Sequence, residues 1–176
     1  MIRLFVGLTL PADVRTHLLM ARLGIRGARW QRDDQLHLTL KFIGEVSETT
    51  AHDIDAALAA IDMPRFVLAA SGVGVFGDLA APRLLWAGVA PKAEVTRLHD
   101  KVGAALLPLG LALEGRKFMP HITLARLSSG RQAASGVAQF LESFDGLASR
   151  AFAVETFVLF SSHPGHDGSV YRPEAV

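Results

Sequence analysis

The chain has 176 residues, half of them hydrophobic and a fifth charged, with a net charge of +1 and no cysteine. This is ample material for one core, in one domain or two small lobes, and it excludes a disordered chain. The charge balance argues against a broad cationic surface for long duplexes, and the lack of cysteine excludes disulfides, thiolate nucleophiles and cysteine-held metal centres.

Residues 3–8 (RLFVGL) predict a short buried strand. Pro11 and Asp13 then suit a first helical turn, with Val14, Leu18 and Ala21 as its apolar stripe and Gly24 as its stop. Residues 25–34 predict a loop carrying Arg26, Arg29, Trp30 and Arg32. Residues 36–43 predict a strand ended by Gly44. Ser47 caps a helix striped by Ile54, Leu58 and Ile61, and Pro64 breaks it. Residues 66–70 predict a strand, followed by a loose glycine-rich stretch, GVGVFGD.

Residues 84–89 (LLWAGV) predict another buried strand. A helix with Val95, Leu98, Val102 and Leu106 follows Pro91, and Pro108 and Gly110 end it. Residues 121–127 predict a strand. After Ser128-Ser129-Gly130 comes a helix with Val137, Phe140, Leu141 and Phe144. Residues 152–161 predict a last long strand, and the tail SHPGHDGSVYRPEAV is turn-rich. The opening apolar run is too short for a signal peptide and the uncharged runs are too short to span a bilayer, so a soluble cytoplasmic protein is expected.

The second half repeats the first. Each half runs strand, proline, helix, strand, helix, strand, at an offset near 80 residues. One domain over 1–176 built from duplicated halves, 1–80 and 81–176, is the expectation.

Each half also contains His-x-Thr-Leu, as His37-Leu38-Thr39-Leu40 and His121-Ile122-Thr123-Leu124. On a strand the His and the Thr of each copy share one face and the aliphatics hold the other to a core. With seven histidines and eight threonines in the chain, roughly 0.3 His-x-Thr matches are expected by chance. Two matches at equivalent places in a duplicated pattern point to one cleft faced by two histidines.

The paired stretches HLTLKFIG at 37–44 and PHITLAR at 120–126, with the opening RLFVGLTLP, resemble the 2H phosphoesterases. The resemblance is to their RNA 2′,3′-cyclic phosphodiesterase branch, the LigT-like proteins once described as 2′-5′ RNA ligases. It covers nearly the whole chain. It implies a bilobal α+β fold in which two antiparallel sheets flank a central cleft, with helices outside. In the tail, 157–162 and Tyr171 fit the family pattern, whereas His163-Pro164-Gly165-His166 interrupts it.

The implied reaction opens an RNA 2′,3′-cyclic phosphate to a 2′-phosphomonoester. It needs a base for water and an acid for the leaving ribose oxygen, in line across phosphorus. Histidine suits both roles near neutrality. The resemblance implies His121 as base and His37 as acid. Thr39 and Thr123 would donate to non-bridging oxygens. By resemblance, Arg126 would engage the phosphate and Phe42 the base, although strict alternation puts both on the face opposite the histidines. Parity puts Lys41 on the His37 face. Trp30 with Arg29 and Arg32, and Phe118 with Arg116 and Lys117, place aromatic and basic residues where an RNA end would enter.

No metal and no cofactor is expected, and the partner is an RNA end or nucleotide bearing a 2′,3′-cyclic phosphate, met by a monomer with no membrane attachment. Alternatives are the reverse reaction, 2′-5′ ligation; a diesterase for a small cyclic nucleotide; a non-catalytic RNA-binding module; and a zinc site completed by His163 or His166, which lacks a carboxylate-rich surround.

Overall fold

The computed structural model describes residues 1–128 and 130–176. Ser129, in the turn expected before the last helix, lies outside the described residues. The described chain is α+β. Its elements are β1 (Ile2–Leu8), α1 (Ala12–Leu19), β2 (Ala28–Trp30), β3 (Leu38–Val46), α2 (Glu48–Ala59), β4 (Phe66–Asp78), β5 (Ala81–Ala90), α3 (Lys92–Leu106), β6 (His121–Leu127), α4 (Gly130–Phe144), β7 (Phe152–Val154), β8 (Val158–Gly165) and β9 (Gly168–Ala175). No helix among the described residues is long and apolar enough to cross a membrane.

The strands form an antiparallel sheet in the order β7-β4-β5-β6-β3-β1-β8-β9, with β2 added beside β6. It has two wings, joined where β3 meets β6 through one residue pair, Leu38 opposite Ile122. Both side chains are fully buried. The wings are not the two sequence halves. β4 crosses to pair with β5, while β8 returns to pair with β1. Each half therefore lends its last long strand to the other.

One face of the sheet carries the helices and the core, with Leu4, Val6 and Leu8 of β1 and Leu38 and Leu40 of β3 all buried there. α3 packs against β3, and α4 against β4 and β5. Ser47 caps α2 by accepting a hydrogen bond from the Thr50 amide, as its position predicted.

Several elements differ from expectation. α1 ends at Leu19, short of Gly24, although Ala21 is still buried against the core. Gly44 sits at φ 93° inside β3 and does not end it, because a register shift there absorbs the conformation. The glycine-rich 72–78 segment belongs to β4. Its reason lies across the ladder, where the Trp86 ring covers Gly74 so closely that a β-carbon would stand 2.1 Å from it. The expected strand over 152–161 is two strands, β7 and β8. The turn-rich tail is β9, closing a hairpin with β8.

Candidate active site

His37 and His121 stand at equivalent points beside the Leu38–Ile122 pair. An antiparallel register through that pair sets His37 beside Thr123 and His121 beside Thr39, all on the face away from the helices. The four side chains form a square with histidines on one diagonal and threonines on the other.

Both rings are fixed in the same way. His37 Nδ1 lies 2.7 Å from the Gln35 carbonyl and His121 Nδ1 lies 2.7 Å from the Met119 carbonyl. A carbonyl only accepts, so each Nδ1 carries the proton and each Nε2 keeps its lone pair. Thr39 Oγ1, 3.0 Å from His37 Nε2, then donates to it. His121 Nε2 and the Thr123 hydroxyl have no hydrogen-bond partner among the described residues.

Aromatic rings wall each histidine. His37 lies 4.9 Å from both Phe5 and Tyr171, and Phe160 stands behind. His121 meets Phe76 edge-on at 4.8 Å, with Trp86 beyond. Trp86 Nε1 is the one buried side-chain nitrogen or oxygen among the described residues without a hydrogen-bond partner. The hydrophobic runs of β1, β4 and β8 did not reveal these walls, because periodicity alone cannot say which face of a fully apolar strand lies against a histidine.

Burial pushes His37 down to about 4, aided by the Arg126 guanidinium and by His121, while its bond to the Gln35 carbonyl opposes the shift. His121 is lowered by burial and by Arg126. Both imidazoles are therefore neutral at pH 7 in the free protein.

Gln35 anchors the His37 side. It is buried, its amide nitrogen donates to the Ser169 carbonyl of β9, and its amide oxygen accepts from the Arg32 backbone. The tail hairpin thus holds the residue whose carbonyl orients His37. Of the two tail histidines, His163 bonds Ser161 and His166 stands exposed beside Asp167, so neither joins the site. No cluster of three or more His, Asp or Glu suited to a metal occurs among the described residues.

Bulges resolve the parity of Arg126 and Phe42. In β6, Ala125 pairs with Leu85 but Thr123 with Trp86, so Leu124 is an extra residue. Leu124 and Ala125 are both buried, and Arg126 turns back to the histidine face. In β3, Lys41 pairs with Val6 but Thr39 with Gly7, which makes Leu40 extra and brings Phe42 over Phe5, on the His37 face. Arg126 has no carboxylate partner among the described residues, and Phe42 is 52% exposed.

Two expectations fail on placement. Trp30 packs on Phe140 of α4, with the core, because β2 pairs along β6 and points the indole to the helix side. Lys41 is on the helix face, turned there by the Leu40 bulge. A cleft of about 620 Å³ gathers Thr39, Phe42, His121 and Arg126 with Phe118, Arg116 and Lys117 from the second entry loop.

Comparison with known proteins agrees with this fold. The family model described as LigT like Phosphoesterase matches residues 8–86 and 89–171. The chain belongs to the LigT-like phosphoesterases. A Thermus thermophilus relative named RNA 2′,3′-cyclic phosphodiesterase is 33% identical over 96% of this chain and 86% of its own. One from Aeropyrum pernix with the same name is 42% identical over 56% of this chain, a match that spans 57% of that relative. Among solved structures, Escherichia coli LigT complexed with 3′-AMP superposes with a TM-score of 0.80 at 27% identity, covering 99% of this chain and 95% of that one.

Proposed function

We propose that this LigT-like phosphoesterase hydrolyses RNA 2′,3′-cyclic phosphate ends to 2′-phosphomonoesters without a metal. The observation that carries the reading is the His37–Thr39–His121–Thr123 square with Arg126 turned onto its face. The activity named for the relatives supports it.

In this scheme His121 takes a proton from water, since its Nε2 lone pair is free. Water attacks phosphorus, and His37 delivers a proton to the departing ribose oxygen. Thr39, Thr123 and Arg126 hold the non-bridging oxygens. His37 starts neutral in its aromatic cage, so it takes up a proton from solvent as the arriving anion supplies the charge that stabilises it. Once protonated at Nε2, it donates, and the Thr39 hydroxyl is released to the phosphate. Phe42 supports stacking of the terminal base.

Both histidines come from one chain, which supports action as a monomer. The order β4-β5-β6-β3-β1-β8 reads as a mirror about the central pair, which supports descent of 1–80 and 81–176 from one repeated unit.

The test is incubation of an oligoribonucleotide ending in a 2′,3′-cyclic phosphate, in excess EDTA, with the product identified. A 2′-phosphate end is expected. A 3′-phosphate, loss of activity in EDTA, or joining to a 5′-hydroxyl strand in place of hydrolysis would each replace this reading.

A further inference from the structure

The cleft holds more positive charge than one phosphate needs. Its lining includes Lys41, Arg83, Arg116, Lys117 and Arg126 against a single carboxylate, Glu114, in a chain whose net charge is +1. Arg126 serves the reacting phosphate. Of the remaining cations, Arg116 is paired with Glu114, and Lys41 reaches His99 and the Glu114 carbonyl.

The topology gives the reason. On one side of the central pair, β2 lies along β6 and Gln31 N–H donates to the Leu124 carbonyl at 2.8 Å, which seals that flank. The equivalent segment before β6, residues 111–120, forms no strand with β3 among the described residues. A notch remains between this segment and β3. The Leu40 bulge aims Lys41 into the notch.

Lys41 Nζ lies 3.3 Å from His99 Nε2 and 3.5 Å from the Glu114 carbonyl there. No carboxylate reaches it among the described residues. The other nitrogen of His99 lies 2.9 Å from Asp100 Oδ1. The ring stacks on Phe118, with centroids 4.0 Å apart and planes 7° from parallel. An ammonium without a carboxylate partner, at the edge of a stacked pair of rings, is a site prepared for an anion.

We propose that this notch is a second phosphate subsite, which holds the phosphodiester 5′ to the cyclic end. Lys41 is its cation, the His99–Phe118 stack its floor, and Lys117 and Arg116 its rim. The proposal rests on the function given above. A 2′,3′-cyclic phosphate occupies the 3′ terminus of an RNA, so the rest of the strand leaves in the 5′ direction only. A nucleoside 2′,3′-cyclic phosphate has no second phosphate to place there. The notch thus selects oligoribonucleotides over mononucleotides.

The test compares kcat/KM for uridine 2′,3′-cyclic phosphate with that for a uridine dinucleotide bearing the same end. The wild type is expected to prefer the dinucleotide by about tenfold or more, and Lys41→Met to lose most of that preference. Lys117→Gln, at an exposed position, is expected to lower the ratio by about threefold, and added salt to narrow it in the wild type. A wild-type ratio near one, or a ratio unchanged in both variants, overturns the subsite. If neither substrate is hydrolysed, the function falls and the subsite is judged by binding of fluorescent single-stranded pentauridylate. About tenfold weaker binding by Lys41→Met upholds it, and equal binding overturns it.

Discussion

Leu38 lies opposite Ile122, and this single pairing is the only ladder contact between β3 and β6 among the described residues. It sets the separation of His37 and His121 because each immediately precedes its member of the pair. Ile122 is fully buried. Ile122→Ala should cost about 2–4 kcal/mol by urea unfolding. It should also lower kcat where the protein remains folded. A variant as stable as the wild type would show that the junction does not hold the wings.

His37→Ala and His121→Ala should each lower kcat by about 10²–10⁴-fold while circular dichroism stays native. Wild-type turnover in either variant would remove the acid–base pair from the mechanism.

The pH dependence has a definite sign. The reactive free protein has one neutral and one protonated histidine, so kcat/KM peaks between their two pKa values. Both are lowered from 6.5, that of His37 to about 4. The kcat/KM maximum should therefore lie on the acid side of 6.5, and kcat, which reports the complex with the anion, should peak at higher pH. A kcat/KM maximum above pH 7 contradicts the burial argument. Stability follows the same shift. The unfolded chain takes up the proton near 6.5 and the folded chain near 4, so this contribution is complete above 6.5, falls as pH drops to about 4 and is flat below. It amounts to about 3 kcal/mol, measured as the difference in pH slope between wild type and His37→Gln.

Arg126 lowers the pKa of both histidines through its charge. Arg126→Ala should raise both values and move the kcat/KM optimum up, while KM rises about tenfold from the lost phosphate contact. An unmoved optimum with raised KM would place the guanidinium near the phosphate but away from the imidazoles.

Gln35 positions His37 through its own backbone carbonyl. Gln35→Ala removes its hydrogen bonds to Ser169 and Arg32 and should cost about 1–3 kcal/mol. It should lower kcat more than it changes KM, because ring orientation and not binding is disturbed. Equal loss in both would assign it a structural role alone.

The motifs were legible because period-two alternation places His and Thr together from local sequence, and because the two copies reinforce each other. Where a single extra residue enters a strand, that rule inverts. Leu124 and Leu40 each shift the register by one, which turns Arg126 and Phe42 onto the histidine face and Lys41 off it. Nothing in the local pattern marks these bulges. Trp30 looked like an RNA contact because its loop is basic, yet β2 pairs along β6 and turns the indole to the core. The glycines of β4 read as a loop until Trp86, twelve positions beyond Gly74, is seen lying across them. His99 carries no local signal, since its helix reads as a plain amphipathic one and Phe118 lies in a different segment.

The exchange of β4 and β8 between the wings has a consequence for how the cleft comes into being. As the chain leaves the ribosome, β1 and β3 can pair early, but β4 has no neighbour until β5 appears. The outer edge of β1 stays open until residue 158 is made. His37 lacks Phe160, Tyr171 and the Ser169 anchor of Gln35 until the last strands arrive. A chain interrupted late in synthesis would keep both motifs and yet have no assembled pair of histidines, so reactivity toward RNA ends appears only when the whole sheet has closed.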